Sequence, residues 1–200
     1  MSPATSASRV PPGPEGGKSP RHWVVIENAF SPDECERLRT AFAALGAREG
    51  GLVAGRFDTE VRQSALVWLP EGGEFEWVTR RMARLAADAN RDVFRFALDG
   101  LEEQLQLACY GPGHFYNWHI DRGRGTLAGR RKITLSVQLT DPEDYVGGEL
   151  ELNADGHPLQ APSDQGTMVA FAAHTLHRVA PVITGNRLAL VAWVHGPDFV

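Results

Sequence analysis

Apolar residues along the chain follow two different periods, and the change between them divides the sequence into two regions. Between residues 31 and 90, two segments carry apolar residues at helical spacing. The apolar positions of the first are Cys35, Leu38, Phe42 and Leu45, and those of the second are Phe75, Val78, Met82 and Leu85. These patterns predict two amphipathic helices whose apolar stripes pack against the outside of a sheet.

The ends of the first helix are marked by residue type. Ser31 can cap the helix, and Glu34 follows three residues later as in a capping box. Pro32 suits the first turn, and Gly46 is a typical stop. We therefore expect the first helix between Ser31 and Gly46, and the second over residues 74 to about 90.

Short β-rich segments make up most of the remaining sequence, separated by Gly, Pro, Asn and Asp. The predicted strands are residues 22–26, 62–69, 94–96, 104–110, 133–139, 149–152, 168–171, 176–182 and 188–194. Many short strands with frequent turns are typical of a sandwich or jelly roll. The expected fold is mainly β, a double-stranded β-helix (jelly roll) with N-terminal buttressing helices.

Composition sets the domain organisation that we expect. Residues 1–20 are rich in Pro, Ser and Gly and lack the apolar core of a signal peptide, so they are predicted to form a disordered tail. Residues 21–200 are expected to form a single domain, with helical support over 21–92 and a jelly-roll core over about 93–200.

Bulk properties exclude several classes of protein. The chain of 200 residues is 42% hydrophobic, and its net charge of -5 argues against a basic surface for nucleic acid. No apolar run approaches the ~20 residues of a membrane span. Two cysteines imply no disulfide framework and suit a reducing compartment. We expect a cytoplasmic protein, with no nucleic-acid or membrane partner and an undetermined oligomeric state.

Candidate chemistry is concentrated in the β-rich half. His119 and Asp121 are two residues apart on an extended segment, so their side chains are expected to point to the same side. His177, from a distant strand, can complete a set of two histidines and one carboxylate, the facial triad of non-haem Fe(II) oxygenases. Arg187 supplies a fixed cation that could anchor a dicarboxylate, although a protein carboxylate could also pair with it.

The sequence around these residues resembles the 2-oxoglutarate- and Fe(II)-dependent oxygenases of the prolyl-4-hydroxylase-like branch. The resemblance covers roughly residues 105 to 196. Its motifs occur in the family's order: Tyr110, Gly111, Tyr116, His119–Asp121, the Gly-Gly-Glu-Leu of 147–150, His177, the Pro-Val of 181–182, Gly185 and Arg187. His174 lacks the Arg-Val-x-Pro-Val sequence that follows His177, so we interpret it as a surface or neighbouring residue.

The resemblance implies roles for the site residues. His119, Asp121 and His177 would bind Fe(II), and Arg187 would bind the far carboxylate of the cosubstrate 2-oxoglutarate. Tyr110 and Tyr116 would line the cosubstrate pocket, although both could be ordinary core tyrosines. Gln138 stands where relatives commonly carry an apolar or aromatic residue, and it is a candidate polar contact to the cosubstrate.

The expected activity is that of a dioxygenase that hydroxylates an unactivated C–H bond. The leading substrate class is a prolyl or other amino-acid or peptide substrate, with succinate and CO₂ as coproducts and ascorbate as a candidate further cofactor. Asp121 favours hydroxylation over halogenation, since halogenating relatives replace that carboxylate. Alternatives are a non-catalytic metal- or ligand-binding jelly roll and an oxygenase of natural products. Trp193 argues against nucleic-acid demethylation, because that branch carries a second arginine there.

A basic, glycine-rich segment follows the predicted metal site. Residues 122–132 contain four arginines and one lysine among several glycines. They could form a mobile lid that attracts an acidic substrate group, or an ordinary solvated loop. The sequence leaves these two interpretations open.

Overall fold

The computed structural model describes residues 23–50, 52–53, 56–57 and 60–198. The helices are α1 (Pro32–Leu45) and α2 (Glu76–Ala89); the strands are β1 (Trp23–Ile26), β2 (Arg48–Gly50), β3 (Leu52–Val53), β4 (Arg56–Phe57), β5 (Arg62–Trp68), β6 (Gly100–Leu101), β7 (Gln106–Tyr110), β8 (Phe115–His119), β9 (Arg131–Gln138), β10 (Tyr145–Gly147), β11 (Leu150–Asn153), β12 (Leu159–Gln160), β13 (Met168–Ala172), β14 (Leu176–Val179), β15 (Val182–Gly185) and β16 (Arg187–His195). The tail predicted over residues 1–20 lies outside the described residues. Within the described ranges, no helix combines the length and apolar character needed to cross a bilayer.

Both predicted helices are present, and the capping box of α1 is confirmed. The backbone N–H of Glu34 donates to Ser31 Oγ at 3.3 Å, and the N–H of Ser31 donates to Glu34 Oε2 at 2.9 Å. These two bonds satisfy donors that the first turn of a helix leaves free. The helix ends at Leu45, before Gly46, as its sequence predicts.

The strands form one long antiparallel sheet that curls back on itself. Its order is β1-β13-β9-β16-β7-β5-β8-β14-β11-β12, with β2 beside β5 and β6 beside β16. Strand β5 makes the corner, because residues 65–68 pair with β7 while residues 62–63 pair with β8. The two ends of the sheet therefore face each other, which gives the mainly β jelly-roll fold that the sequence predicts.

Alternation along β9 separates the core from the interior of the roll. Leu135 and Val137 are fully buried against the helices, in a cluster that includes Leu38 of α1 and Met82 of α2. Two smaller apolar clusters fill the space between the facing sheets: one is built around Phe171 and the other combines Ala108, Tyr110, Val179 and Val182. The prediction that the helices buttress the outside of one sheet is confirmed.

The predicted strand over residues 94–96 is wrong. Helix α2 instead continues as a π-helical turn, Asn90–Phe94, and Arg95 follows in the left-handed region at φ 57°. The side chain of Asn90 stabilises this exit, because it donates to the carbonyl of Phe96 at 2.9 Å and accepts its N–H at 2.8 Å. A local side-chain bridge therefore overrides the β propensity of two phenylalanines.

The segment predicted as one strand over residues 176–182 is divided in two. Strand β14 ends at Val179, and β15 begins at Val182 and pairs with β10 in a separate two-stranded sheet. Pro181 has no N–H to give to a ladder, which suits a change of partner at this point. The β10–β15 pair is not among the predicted strands.

Candidate active site

Two histidines face each other across neighbouring strands. His119 is the last residue of β8, His177 lies in β14, and the two are direct partners in the antiparallel register. Asp121 follows two residues after His119. One ligand atom from each of the three side chains lies within 4.8 Å of the others. The sheet therefore brings together residues from two distant parts of the sequence.

Backbone contacts fix the orientation of both imidazole rings. His119 Nδ1 lies 2.7 Å from the carbonyl oxygen of Asn117, and His177 Nδ1 lies 2.9 Å from that of Thr175. A carbonyl only accepts, so each Nδ1 is assigned as the protonated nitrogen and each Nε2 keeps its lone pair. Both Nε2 atoms lie 3.5 Å from an oxygen of Asp121.

The turn that carries Asp121 is held by hydrogen bonds to other strands. Thr134 Oγ1 donates to Asp121 Oδ2 at 2.7 Å. The backbone N–H groups of Asp121 and Arg122 both donate to the carbonyl of Ala173, at 2.9 and 2.8 Å. Ala173 belongs to the turn that leads into β14, so the turn with Asp121 is tied to the one that presents His177.

Burial sets the protonation states of the cluster. It lowers the pKa of His177 to about 4, so this ring is neutral near pH 7. Burial by itself would raise the pKa of Asp121, but the neighbouring imidazoles of His177 and His119 outweigh it. The pKa of the Asp121 carboxyl is therefore held well below its usual range. The Asp121 carboxylate and the neutral imidazole of His177 are in the forms that ligate a divalent metal.

The cluster fits a divalent iron ion. Neighbouring ligands of an octahedral divalent ion, with bonds of about 2.1 Å, stand about 3 Å apart. The Nε2-to-carboxylate separations of 3.5 Å are close to that value. All three side chains line one side of a cavity of about 370 Å³, so three coordination positions would remain open toward it.

One end of this cavity is formed by a buried arginine. Arg187 is 1% exposed and pairs with Tyr110 across β16 and β7, with its guanidinium 5.7 Å from the tyrosine ring centroid. Its Nε has no hydrogen-bond partner. Among the described residues, no carboxylate lies within ion-pair distance of Arg187, so the alternative of a protein carboxylate partner finds no support.

Gly148 makes room for that arginine. Its φ is +69°, and a Cβ there would lie 3.1 Å from Arg187 Cδ and 2.8 Å from Val182 Cγ2. Glycine alone combines the left-handed conformation with this close approach. The Gly-Gly pair of the sequence motif thus supports the arginine through its lack of a side chain.

The other tyrosine of the motif lies beside the histidines. Tyr116 stacks on His119 with ring centroids 3.4 Å apart, and the guanidinium of Arg62 lies over the Tyr116 ring, 4.6 Å from its centroid. Burial raises the pKa of Tyr116 to about 12, although Arg62 opposes the rise. The hydroxyl therefore keeps its proton and can donate a hydrogen bond.

The basic segment is more firmly held than a mobile lid would be. Arg131 donates to Glu103 from two nitrogens, to the backbone carbonyl of Asp121 at 3.2 Å, and lies 3.9 Å above the Trp193 ring. Glu103 is also 2.9 Å from Nε2 of the fully buried His195. Arg130 pairs with Asp99 and Glu102. At least these two cations are committed to partners inside the protein.

The remaining predicted residues are placed as follows. Gln138 lies on the same face as Thr134 and Ser136 but does not line the cavity; its Oε1 is buried without a partner. His174 is exposed and outside the cluster, while Trp193 is buried and forms part of the cavity wall.

Arg62 and Arg131 are among the cavity residues that the sequence reasoning did not assign to the site. Arg62 lines the cavity from β5, and Arg131 lines it from the start of β9. For Arg62 a signal was available, because it shares its parity in the predicted strand with Leu66 and Trp68, which also line the cavity. Arg131 carried no such signal, since its basic neighbours suggested a loop.

Known proteins share this sequence and fold. Residues 105–195 match the 2OG-Fe(II) oxygenase superfamily. A PKHD-type hydroxylase of Hyphomonas neptunium is 35% identical over 174 residues, which cover 86% of this chain and 77% of the relative.

Two solved structures have similar folds. A prolyl-4-hydroxylase of Pseudomonas putida superposes with a TM-score of 0.72 at 22% identity, over 88% of this chain and 94% of the other. A prolyl hydroxylase of Trichoplax adhaerens, in complex with a hypoxia-inducible factor peptide fragment, has a TM-score of 0.72 at 18% identity, over 87% and 83% of the two chains. Both likenesses concern the fold.

Sequence and fold thus lead to one family. The superfamily match spans the segment that carries the histidines, the aspartate and the buried arginine. The 35% identical relative extends the similarity over most of both chains. The protein belongs to the 2-oxoglutarate- and Fe(II)-dependent oxygenase superfamily, shares the fold of its prolyl-4-hydroxylase members, and is a 2-oxoglutarate-dependent hydroxylase.

Proposed function

We propose that the protein hydroxylates an unactivated C–H bond of a prolyl or other amino-acid or peptide substrate, with succinate and CO₂ as coproducts. His119, Asp121 and His177 hold Fe(II), and Arg187 binds the far carboxylate of 2-oxoglutarate. Iron and 2-oxoglutarate together supply the oxidising power for this chemistry when bound. The observation that carries the proposal is one cavity lined by both a three-ligand cluster and a buried arginine without a carboxylate.

The chemistry of Arg187 supports its assignment to the cosubstrate. A guanidinium presents parallel donors that match a carboxylate, and such charge-assisted bonds are about twice as strong as neutral ones. A buried cation without a counter-ion is costly, and a dicarboxylate ligand would remove that cost. Tyr110, beside Arg187, and Tyr116, beside His119, are suitably placed to donate hydrogen bonds to a cosubstrate between them.

The case for Gln138 as a contact to 2-oxoglutarate is weaker than the case for the two tyrosines. Its buried amide oxygen lacks a donor, but its side chain is covered rather than exposed to the cavity. We propose that Gln138 influences the binding of 2-oxoglutarate through the residues that line the cavity. A requirement for ascorbate stays a prediction.

Two similarities support the choice of substrate class. The curated relative is a PKHD-type hydroxylase, and the two solved structures are prolyl hydroxylases, one of them with a peptide. The cavity of about 370 Å³ is near the lower end of the range for ligand sites, and the cosubstrate has to share it. A single side chain or a small amino acid fits that space better than a bulky natural product.

An anaerobic titration of the apo-protein tests the assigned roles. Fe(II) is added first and 2-oxoglutarate second, while the weak visible charge-transfer band of the chelate is followed. The wild type should show a band that requires the cosubstrate. Asp121→Ala should lose it with the iron, and Arg187→Ala should require much more 2-oxoglutarate while binding iron normally.

Two results would contradict the proposal. Folded wild-type protein with adequate iron and no band would exclude a 2-oxoglutarate chelate at this site. An unchanged dependence on 2-oxoglutarate in Arg187→Ala would exclude the arginine as its anchor. Circular dichroism of each variant controls for loss of the fold.

A further inference from the structure

Positive charge exceeds negative charge on the walls of the cavity. Four arginines line it, Arg48, Arg62, Arg131 and Arg187, whereas the only carboxylate among the described lining residues is Asp121. The protein as a whole is acidic, with a net charge of -5. The excess of cations is therefore a local property of the cavity.

Two of the four arginines already have an anionic partner. Arg131 is paired with Glu103, and Arg187 is assigned to 2-oxoglutarate under the proposed function. An Fe(II) ion brings two positive charges, which Asp121 and the chelating carboxylate of the cosubstrate would balance. Among the described residues, no carboxylate balances the charges of Arg62 and Arg48.

Hydrogen bonds hold the side chain of Arg62 in place, but the groups that accept them do not neutralise its charge. It is 7% exposed, and it donates from Nε to Ser64 Oγ at 2.8 Å and from Nη2 to Gln106 Oε1 at 3.0 Å. Both acceptors are neutral groups, so they orient the guanidinium without cancelling its charge. No carboxylate among the described residues lies within ion-pair distance of it. Burying an unpaired charge in this way is costly unless a ligand supplies the counter-ion.

The hydrogen bond from Nη2 directs the Arg62 guanidinium toward Gln106 on β7. Its partner Gln106 is four residues from Tyr110 along β7, which corresponds to about 13 Å of strand, and Tyr110 is the neighbour of Arg187. Arg62 and His119 both contact the ring of Tyr116, so the guanidinium also lies close to the proposed metal ligands.

We infer that the substrate carries a carboxylate group and that Arg62 binds it, with Gln106 and Ser64 holding the guanidinium in position. The inference rests on the proposed function and narrows its substrate class to small carboxylates, such as a free amino acid or the C-terminal residue of a peptide. Arg48, exposed on the same cavity, adds a second positive charge near the entrance.

Matched acid and amide probes test the inference. The anaerobic protein, loaded with Fe(II) and 2-oxoglutarate, is titrated by calorimetry with L-proline and L-prolinamide, and with glycyl-glycyl-proline as the free acid and as its C-terminal amide. Charge-assisted bonds to a buried guanidinium predict that an acid binds about 10- to 100-fold more tightly than its amide. The pair that shows the preference distinguishes a free amino acid from a peptide terminus.

Variants connect the preference to Arg62. In Arg62→Gln the ratio between acid and amide should fall to within about threefold, and Arg62→Lys should keep part of it because the charge remains. Arg84→Gln, an exposed arginine on α2, is the matched control and should bind both probes as the wild type does. If Arg62→Gln does not fold, the ratio of acid to amide affinity in the wild type and in Arg62→Lys still tests the inference.

The outcomes separate this inference from the proposed function. A wild-type protein that forms the charge-transfer band but binds amides as well as acids, or binds neither acid, overturns the role of Arg62 alone. The same holds if the preference survives in Arg62→Gln. A wild type that never forms the band overturns the proposed function, and the inference with it.

Discussion

Strands β9 and β16 present two faces of opposite character. The face toward the helices carries only apolar residues, Ile133, Leu135, Val137, Leu139, Leu188, Leu190, Ala192 and Val194. The face toward the cavity carries Thr134, Ser136, Arg187, Ala189, Val191 and Trp193. Because side chains alternate along a strand, the same backbone builds both surfaces.

The difference between the faces shows how stability and chemistry are divided in this fold. On the helix face every side chain has apolar neighbours, so burial contributes directly to the free energy of folding. On the cavity face Arg187 Nε is buried without a hydrogen-bond partner among the described residues. Such groups cost stability, and they are kept where a ligand can use them. Substitutions on the helix face should therefore mainly reduce stability, whereas substitutions on the cavity face should mainly reduce ligand binding or activity.

Removing a metal ligand should give the largest effect. His177→Ala takes one of three proposed ligands from the cavity, so iron binding and turnover should fall below detection while the fold remains. The measurement is Fe(II) binding together with succinate formation. His174→Ala, an exposed histidine three residues earlier, is the control and should behave as the wild type. Full activity in His177→Ala would refute the ligand assignment.

Truncating the helix face should cost stability and leave chemistry intact. Leu135 is fully buried, and Leu135→Ala should lower the free energy of unfolding by about 2–5 kcal/mol. Its neighbour Ser136 points into the cavity, and Ser136→Ala should change stability by less than about 1 kcal/mol. Urea denaturation compares the two variants. Equal losses in both would mean that the two faces are not energetically distinct.

Removing the hydroxyl behind Asp121 should weaken the metal site moderately. Thr134→Val keeps the shape of the side chain but loses the 2.7 Å bond to Asp121 Oδ2. Groups that orient a metal ligand typically contribute about 10- to 100-fold in metal affinity or activity. Competitive titration of Fe(II) measures the change, and Thr134→Ser, which keeps the hydroxyl, should retain most of the affinity. An unaffected Thr134→Val would show that Asp121 is held by its backbone alone.

Adding one methyl group behind Arg187 should give the smallest effect. Gly148→Ala places a Cβ against Arg187 Cδ and should raise the requirement for 2-oxoglutarate several-fold, beside a strain of about 1–2 kcal/mol for the left-handed backbone. Gly46→Ala has a similar φ of +74° but no atom within 4 Å, so it should show the strain without the change in cosubstrate affinity. Saturation curves for 2-oxoglutarate separate the two cases.

Local patterns predicted much of the fold because the signals lay within a few residues. The capping box at Ser31, the two apolar stripes and the alternation along β9 each depend on neighbouring positions, and the structure contains all of them. The strand predicted at residues 94–96 fails because Asn90 bridges to Phe96, a contact that propensity does not reveal. The sequence did not predict the β10–β15 pair, because its strands are short and Tyr145 and Val182 are 37 positions apart in the chain.

The candidate site could be recognised in part for a similar reason. The histidines, Asp121 and Arg187 stand in a family motif with fixed spacing, so the sequence alone points to them. Arg62 belongs to no motif. Its proposed role depends on its contacts with Gln106 and Tyr116, which only strand pairing brings close to it. Whether a charge has a counter-ion is a three-dimensional property, and no spacing in the chain encodes it.

The pairing of His119 with His177 across neighbouring strands determines when the proposed metal site can form during folding. The two residues are about sixty positions apart in the chain, and contacts between such distant strands are late events in folding. Under the proposed ligand assignment, a nascent or partly folded chain lacks the ligand set and would not retain iron there. The oxygen-activating chemistry proposed for this site would then become available only after the strands that carry the two histidines have paired.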